Sequence, residues 1–339
     1  MQIGVIGAGA IGGTLAALLQ RAGHEVTITA RGEALAAIQN TGLHLEGAWG
    51  THSARVHGAK RLTETPDLAF ICTKAHDAPE AITDNKDQLD NSTVVVVQNG
   101  LDGLKHASTL LPNSECIGAL ALFAASYLAP GHVRVTTAAN TYLGAGNGAA
   151  PAAATRVAKV LNEVVPAYAV ENFTGCQWTK LIVNQINAMP AITGASVQET
   201  IAKRQLRRII TASLQEAVRI GYRHKVHYGS IQGLNNTLLR CVAATPTFLA
   251  QSVPLLIKRR LGPTPNPGST LQSIHRGQRT EIDYLNGAIV ARAEDLGADA
   301  PINRALTQMV HEVETTGAFF TVATVTERIA AARAKAQHG

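Results

Sequence analysis

The first thirteen residues constrain the fold more than any other part of the chain. Met1-Gln2-Ile3-Gly4-Val5-Ile6 is an apolar strand, and Gly7-Ala8-Gly9-Ala10-Ile11-Gly12 follows as G-x-G-x-x-G. Residues 14–21 continue with helix-like spacing, and a second strand follows at Val26-Thr27-Ile28-Thr29-Ala30. Each glycine has a physical reason to be there. Gly7 permits the turn out of the strand, Gly9 lets a pyrophosphate approach the backbone, and Gly12 lets the helix pack against the sheet. The helix then turns its free amides and positive dipole end toward the phosphates. Strand, glycine turn, helix and strand in this order predict a Rossmann-type dinucleotide site formed by Gly7, Ala8, Gly9, Ala10, Ile11 and Gly12.

The tip of the second strand selects among dinucleotides. An acid there would hold the ribose 2′-hydroxyl of NAD, whereas this strand ends Ala30-Arg31-Gly32. A guanidinium binds a 2′-phosphate through bidentate, charge-assisted bonds, so Arg31 predicts NADPH/NADP. The alternative leaves Arg31 solvated and gives the ribose to Glu33.

At 339 residues the chain is long enough for two domains, and 46% hydrophobic against 16% charged residues supplies two cores. The excess of six positive charges suits anionic small molecules. Nucleic acid is not an expected partner, because basic residues are scattered apart from Lys258-Arg259-Arg260 and aromatics do not interleave with them. Cys72, Cys116, Cys176 and Cys241 form neither C-x-x-C nor a zinc spacing, and no H-E-x-x-H occurs, so no metal is expected. No stretch predicts a membrane span, and residues 3–20 fit a phosphate loop better than a signal peptide. A cytoplasmic location is the expectation.

Apolar, β-branched runs at 68–73, 93–97, 117–123, 133–137 and 141–144 continue the alternation of strands and helices and predict a mostly parallel sheet. From Cys176 the pattern turns helical, with expected helices over 178–188, 197–221, 230–244, 271–296 and 301–314, and a basic, proline-rich loop over 254–267. The prediction is an α/β Rossmann-type N-terminal domain over 1–170 and an all-helical C-terminal domain over 171–335, with the active site in the cleft between them. Lys74 and Asn99 follow two buried strands, where ligands of open α/β sheets sit.

In the helical half, Lys180, Asn184 and Asn187 fall within about 60° of one another on an ideal helix that is otherwise apolar. Glu281 and Asp283 are candidate acids for a lysine partner. The glycine turn, Arg31, Thr73-Lys74, Gln98-Asn99-Gly100, Lys180-Leu181-x-x-Asn184, Ser269 and Arg279-Thr280-Glu281-Ile282-Asp283-Tyr284-Leu285-Asn286-Gly287 together resemble the ketopantoate reductase family over nearly the full length. The resemblance implies NADPH-dependent reduction of 2-dehydropantoate to (R)-pantoate. It further implies Lys74, Asn99 and Ala125 in the cofactor site, Lys180 as proton donor, and Asn184, Asn187 and Ser269 on the substrate. Glu281 is implied beside Lys180 and the nicotinamide ribose. Relatives occur as monomers and dimers, and a homodimer is the favoured assembly.

Three departures fall on the substrate side. Asn187 follows Asn184 by three positions where the family commonly has four, a downstream substrate asparagine has no counterpart near Thr193-Gly194-Ala195-Ser196, and the segment 258–267 is longer and more basic. They keep open a paralogous reductase of another 2-keto acid. A non-catalytic NADP(H)-binding regulator is a further alternative, which damage at Lys180 or Glu281 would have marked.

Overall fold

A computed structural model describes residues 1–262 and 264–338, and divides the chain into units Met1–Thr174 and Gly175–Gly339. Pro263, inside the expected 254–267 loop, lies outside the described residues.

Twelve strands are described, all in the first unit: β1 Gln2–Ile6, β2 Glu25–Thr29, β3 Leu43–Gly47, β4 His52–Ala54, β5 His57–Ala59, β6 Leu68–Ile71, β7 Thr93–Val96, β8 Glu115–Ala121, β9 Ala124–Ala129, β10 His132–Thr137, β11 Thr141–Gly144 and β12 Ala167–Ala169. Eight of them form one sheet in the order β12-β11-β8-β7-β6-β1-β2-β5, parallel except where β11 meets β8. Its central strands are apolar on both faces. Ile3, Val5, Phe70 and Val95 point into a core shared with Leu15, Leu18 and Leu19 of the helix Ala10–Arg21. Ile6, Ala69, Ile71, Val94 and Val96 point the other way, onto Ile82, Leu89 and Ala107. Burial on both sides is why these strands are continuous apolar runs in the sequence.

The strand expected at 133–137 is β10, and it belongs not to the main sheet but to a second sheet, β4-β3-β10-β9, whose other strands were not expected from the sequence. Its inward residues Leu43, Leu45, Val133 and Val135 join the first core, while His44, Glu46, His132 and Arg134 alternate with them. The alternation in β3, β4 and β9 is too short and too polar a pattern to distinguish from turns.

The second unit is helical, with one isolated bridge between Ile231 and Leu234 among its described residues. Several expected boundaries are corrected. The 197–221 helix is two helices, Val197–Ala202 and Arg204–Arg223, broken at Lys203 where the backbone becomes extended. The first has a capping box in which the Ser196 hydroxyl accepts from Glu199 N and the Glu199 carboxylate accepts from Ser196 N. The 230–244 helix starts at Asn236, because Asn235 caps it by accepting from Leu238 N at 2.9 Å. The expected 254–267 loop is largely the helix Ser252–Leu261. Pro254 is tolerated in its first turn, where no amide partner is required, and Lys258, Arg259 and Arg260 face the negative end of the dipole in its last. The 271–296 segment divides into helices Gly268–His275 and Asn286–Glu294 around a 3₁₀ turn Ile282–Tyr284, with Gly277 at φ +60° past the first. The helix Val322–His338 was not expected. No described helix is long and apolar enough to cross a membrane.

Candidate active site

In the first unit the parallel register aligns Ile6 with Thr29 and Ile71, and Ile71 with Val96, so the loops after β1, β2, β6 and β7 leave the sheet at one edge. Gly7 has φ +104°, and a Cβ there would lie 2.9 Å from Thr73 N. Its amide donates to Thr29 Oγ1 at 3.2 Å, fixing the turn to the neighbouring strand. A Cβ on Gly12 would lie 1.9 Å from Gly7 O, whereas one on Gly9 would meet nothing within 4 Å. The turn is therefore closed beneath Gly12 and open above Gly9, the shape a pyrophosphate needs. The helix Ala10–Arg21 has no acid in its first turn to cancel its dipole.

Arg31 stands at the N-cap of the helix Gly32–Thr41 with its guanidinium 68% exposed, 3.1 Å from both Glu80 Oε1 and Asp84 Oδ2. Asp84 also receives Arg61 at 2.8 Å. Surface pairs of this kind are weak, about 0–1 kcal/mol, so a dianionic phosphate competes with them. Lys74 and Asn99 are half-buried in the loops after β6 and β7, which are tied together by Gln98 Nε2 donating to Thr73 O at 3.1 Å. Ala125 lies on β9 of the small sheet, opposite Val135, and packs against the core that includes Val97.

In the second unit Lys180 and Asn184 lie on the helix Phe173–Asn184, which passes into a 3₁₀ turn Gln185–Asn187 before the helix Ala188–Thr193. A 3₁₀ turn has three residues per turn and eclipses positions i and i+3. Asn187 thus stays in line with Asn184 despite the shortened spacing. A Cβ on Gly268, at φ +72°, would lie 2.8 Å from Asn187 Oδ1, which places Asn187 against the start of the helix carrying the exposed Ser269. Burial pulls the half-buried Lys180 ammonium down to about 8, against the opposing pull of the Glu281 carboxylate.

The segment around Glu281 is clamped on both sides. Glu314 Oε1 accepts from Thr280 N at 2.6 Å, and Glu314 Oε2 pairs with His311 Nδ1 at 2.7 Å. His311 Nε2 in turn lies 2.8 Å from Asp283 Oδ1, and Asp283 Oδ2 accepts from Arg279 at 3.2 Å. Asp283, one of the two acids considered for Lys180, is engaged in this clamp. Gln185 Nε2 donates to Leu181 O at 2.8 Å and Leu285 O at 3.4 Å, joining the lysine helix to the acid segment. Behind them Asn286 donates to Asn303 Oδ1 at 2.9 Å, and Asn303 donates to Glu216 Oε2 at 2.7 Å. Burial raises the Glu216 pKa although the amides of Ile302 and Asn303 bond to its carboxylate. Sequence reading missed Glu80, Asp84, Gln185, His311 and Glu314; only the i, i+3 spacing of His311 and Glu314 was visible there, and nothing linked it to Asp283.

An open glycine turn at the edge of a parallel sheet, followed by a helical unit with a lysine of lowered pKa near a carboxylate, defines a two-unit dinucleotide-dependent oxidoreductase. Comparison with known proteins narrows the class. Residues 3–148 match the family described as Ketopantoate reductase PanE/ApbA, and residues 172–314 match its C-terminal family. The chain belongs to the ketopantoate reductase family. It is 28% identical to a 2-dehydropantoate 2-reductase of Archaeoglobus fulgidus, over 92% of this chain and 98% of that one. A Pyrococcus horikoshii protein of the same name is 28% identical over 94% and 99%. The crystal structure of a PanE/ApbA family ketopantoate reductase from Ralstonia eutropha superposes with TM-score 0.78 at 28% identity, covering 93% and 99% of the two chains. D-mandelate dehydrogenase in complex with NADH shares the fold, with TM-score 0.77 at 21% identity over 93% and 99%.

Proposed function

We propose that the chain reduces 2-dehydropantoate to (R)-pantoate with NADPH, with Lys180 as proton donor. The observation that carries the reading is Lys180, its pKa lowered to about 8 beside Glu281 on the helix that also bears Asn184. The names of the full-length relatives supply the substrate. The open face above Gly9 fits a pyrophosphate, and Arg31, drawn from its weak pairs with Glu80 and Asp84, receives the 2′-phosphate. Lys74, Asn99 and Ala125 complete the cofactor contacts in this reading.

The nicotinamide, when bound, supplies the hydride. As charge develops on the substrate's keto oxygen, the Lys180 ammonium stabilises it and then delivers a proton from Nζ. A lowered pKa suits both roles, since the group remains mostly protonated at neutral pH yet gives up its proton more readily than an ordinary lysine. Glu281 keeps the ammonium charged and orients it. Asn184, Asn187 and Ser269 hold the substrate's carboxylate and hydroxyl without adding net charge.

A 2-keto acid other than 2-dehydropantoate is the second reading, favoured by Asn187 turning toward Gly268 after the 3₁₀ turn. The deciding experiment follows NADPH oxidation by absorbance with 2-dehydropantoate and a panel of 2-keto acids. The proposal expects kcat/KM highest for 2-dehydropantoate; a preference for another acid moves the assignment to the second reading. A homodimer in the cytoplasm completes the proposal on the strength of the resemblance, and sedimentation separates the 35.6 kDa monomer from its dimer.

A further inference from the structure

Strands β3 and β10 run side by side in parallel, with His132 opposite His44 and Arg134 opposite Glu46. Their apolar residues Leu45, Val133 and Val135 face the core, so the strand period of two gathers His44, Glu46, His132 and Arg134 on the other face. There His132 Nε2 lies 3.2 Å from Glu46 Oε2, and His44 Nε2 lies 4.0 Å from the same oxygen. The two rings meet edge to face with centroids 4.6 Å apart. One ligand atom from each of His44, Glu46 and His132 lies within 4.8 Å of the others.

Two details distinguish this arrangement from an ordinary surface ion pair. His132 Nε2 is enclosed, with Glu46 Oε2 at 3.2 Å. His44 Nδ1 is 3.3 Å from the Ser53 hydroxyl on β4, a contact that sets the ring's orientation and leaves Nε2 turned to Glu46. Arg134 Nε holds the other carboxylate oxygen, Oε1. It fixes the carboxylate and, being positive, weakens the site for any cation.

We propose that His44, Glu46 and His132 form a binding site for one divalent transition-metal ion, Zn²⁺ before others, bridging β3 and β10. Two imidazoles and one carboxylate are a donor set that Zn²⁺ accepts, with water as fourth ligand, and a hard cation such as Mg²⁺ does not favour. Tetrahedral Zn²⁺ with bonds of about 2.0–2.1 Å sets its ligand atoms about 3.4 Å apart. The His132–Glu46 distance already fits, and a small rotation of His44 closes the remainder. The site is no part of the proposed reaction. It clips two strands whose opposite face carries Val133, 3.0 Å from where a Cβ of Gly13 in the phosphate-loop helix would stand.

The test uses the full untagged chain, stripped with a chelator and titrated with Zn²⁺ alone in competition with a chromophoric chelator. A single site of micromolar affinity or better is expected. It weakens at least tenfold in His44→Ala and again in His44→Ala/His132→Ala, and tightens as pH rises through the histidine range. Co²⁺ gives the visible absorption of a four-coordinate ion in the wild type but not in the double variant. Cys241 is an exposed free thiol and so a competing Zn²⁺ ligand; stoichiometric binding that survives in the double variant therefore overturns the proposal, as does the absence of a one-to-one site in the wild type. Thermal melting of the metal-free double variant within a few degrees of wild type shows that a lost site is not a lost fold.

Discussion

At the scale of the residue, the proposed reaction rests on two side chains. Lys180 has its pKa lowered to about 8 by burial, with Glu281 opposing. Reduction needs the ammonium, so kcat for reduction is expected to fall by about tenfold per pH unit above 8, and the reverse oxidation to rise. A profile flat from pH 7 to 10 would remove Lys180 from the proton step. Arg31 is held by Glu80 and Asp84, two acids that the sequence did not connect to it. Arg31→Ala is expected to lose about 1.5–3 kcal/mol of charged hydrogen bonding, roughly a 10- to 100-fold rise in KM for NADPH with little change for NADH. Glu80→Gln with Asp84→Asn is expected to lower KM for NADPH. Equal effects of the Arg31 variant on both cofactors would favour the Glu33 alternative. Lys180 and Arg31 were candidates from the sequence because a lysine on an apolar helix and an arginine at a strand tip stand out locally. Glu281 was among the acids considered for Lys180, whereas Glu80 and Asp84, distant from Arg31 in the chain, have no local signature there.

At the scale of the element, the phosphate turn and the acid segment make separate predictions. Ala at position 12 drives a Cβ into Gly7 O, whereas Ala at position 9 meets open space at φ −78°. Gly12→Ala is expected to lower the melting temperature and abolish cofactor binding together. Gly9→Ala is expected to keep or raise the melting temperature while weakening NADPH. A Gly9→Ala protein with unchanged NADPH affinity would show that no phosphate approaches there. His311, bridging Asp283 and Glu314, is the strut of the acid segment. Burial works against its charged form, but the hydrogen bonds and charges of Glu314 and Asp283 outweigh it, and the net pKa is raised. A raised folded pKa stabilises fully below the unfolded value and is lost as pH rises through the folded value. Urea midpoints of wild type and His311→Gln should therefore differ more at pH 6 than at pH 8.5; a difference that grows with pH would contradict the strut. The longer main-sheet strands were legible through their apolar runs, but the three-residue β5 and β12 were not. Of the small sheet only β10 was legible, and as a main-sheet strand, because the others are short and half-polar. The Ser252–Leu261 helix was misread because Pro254 and a basic triplet suggest a loop, though each suits one end of a helix.

At the scale of the whole molecule, the two units solve different problems. The first is stabilised by apolar residues on both faces of its large sheet, and the loops after β1, β2, β6 and β7 leave that sheet at one edge. The second holds a hydrogen-bonded series from Gln185 through Asn286 and Asn303 to Glu216 in its interior. Groups buried in this way are costly unless satisfied, and together they fix how the lysine helix meets the acid segment. The proposed enzyme needs both units: it binds NADPH through the first and completes reduction through Lys180 in the second. The decisive measurement takes Lys180→Ala and wild type side by side, with NADPH affinity read by fluorescence and turnover of 2-dehydropantoate by absorbance. Unchanged NADPH affinity and a loss of kcat of about 10²- to 10⁴-fold are expected in the variant. Turnover within a few-fold of wild type would contradict a proton donated by Lys180.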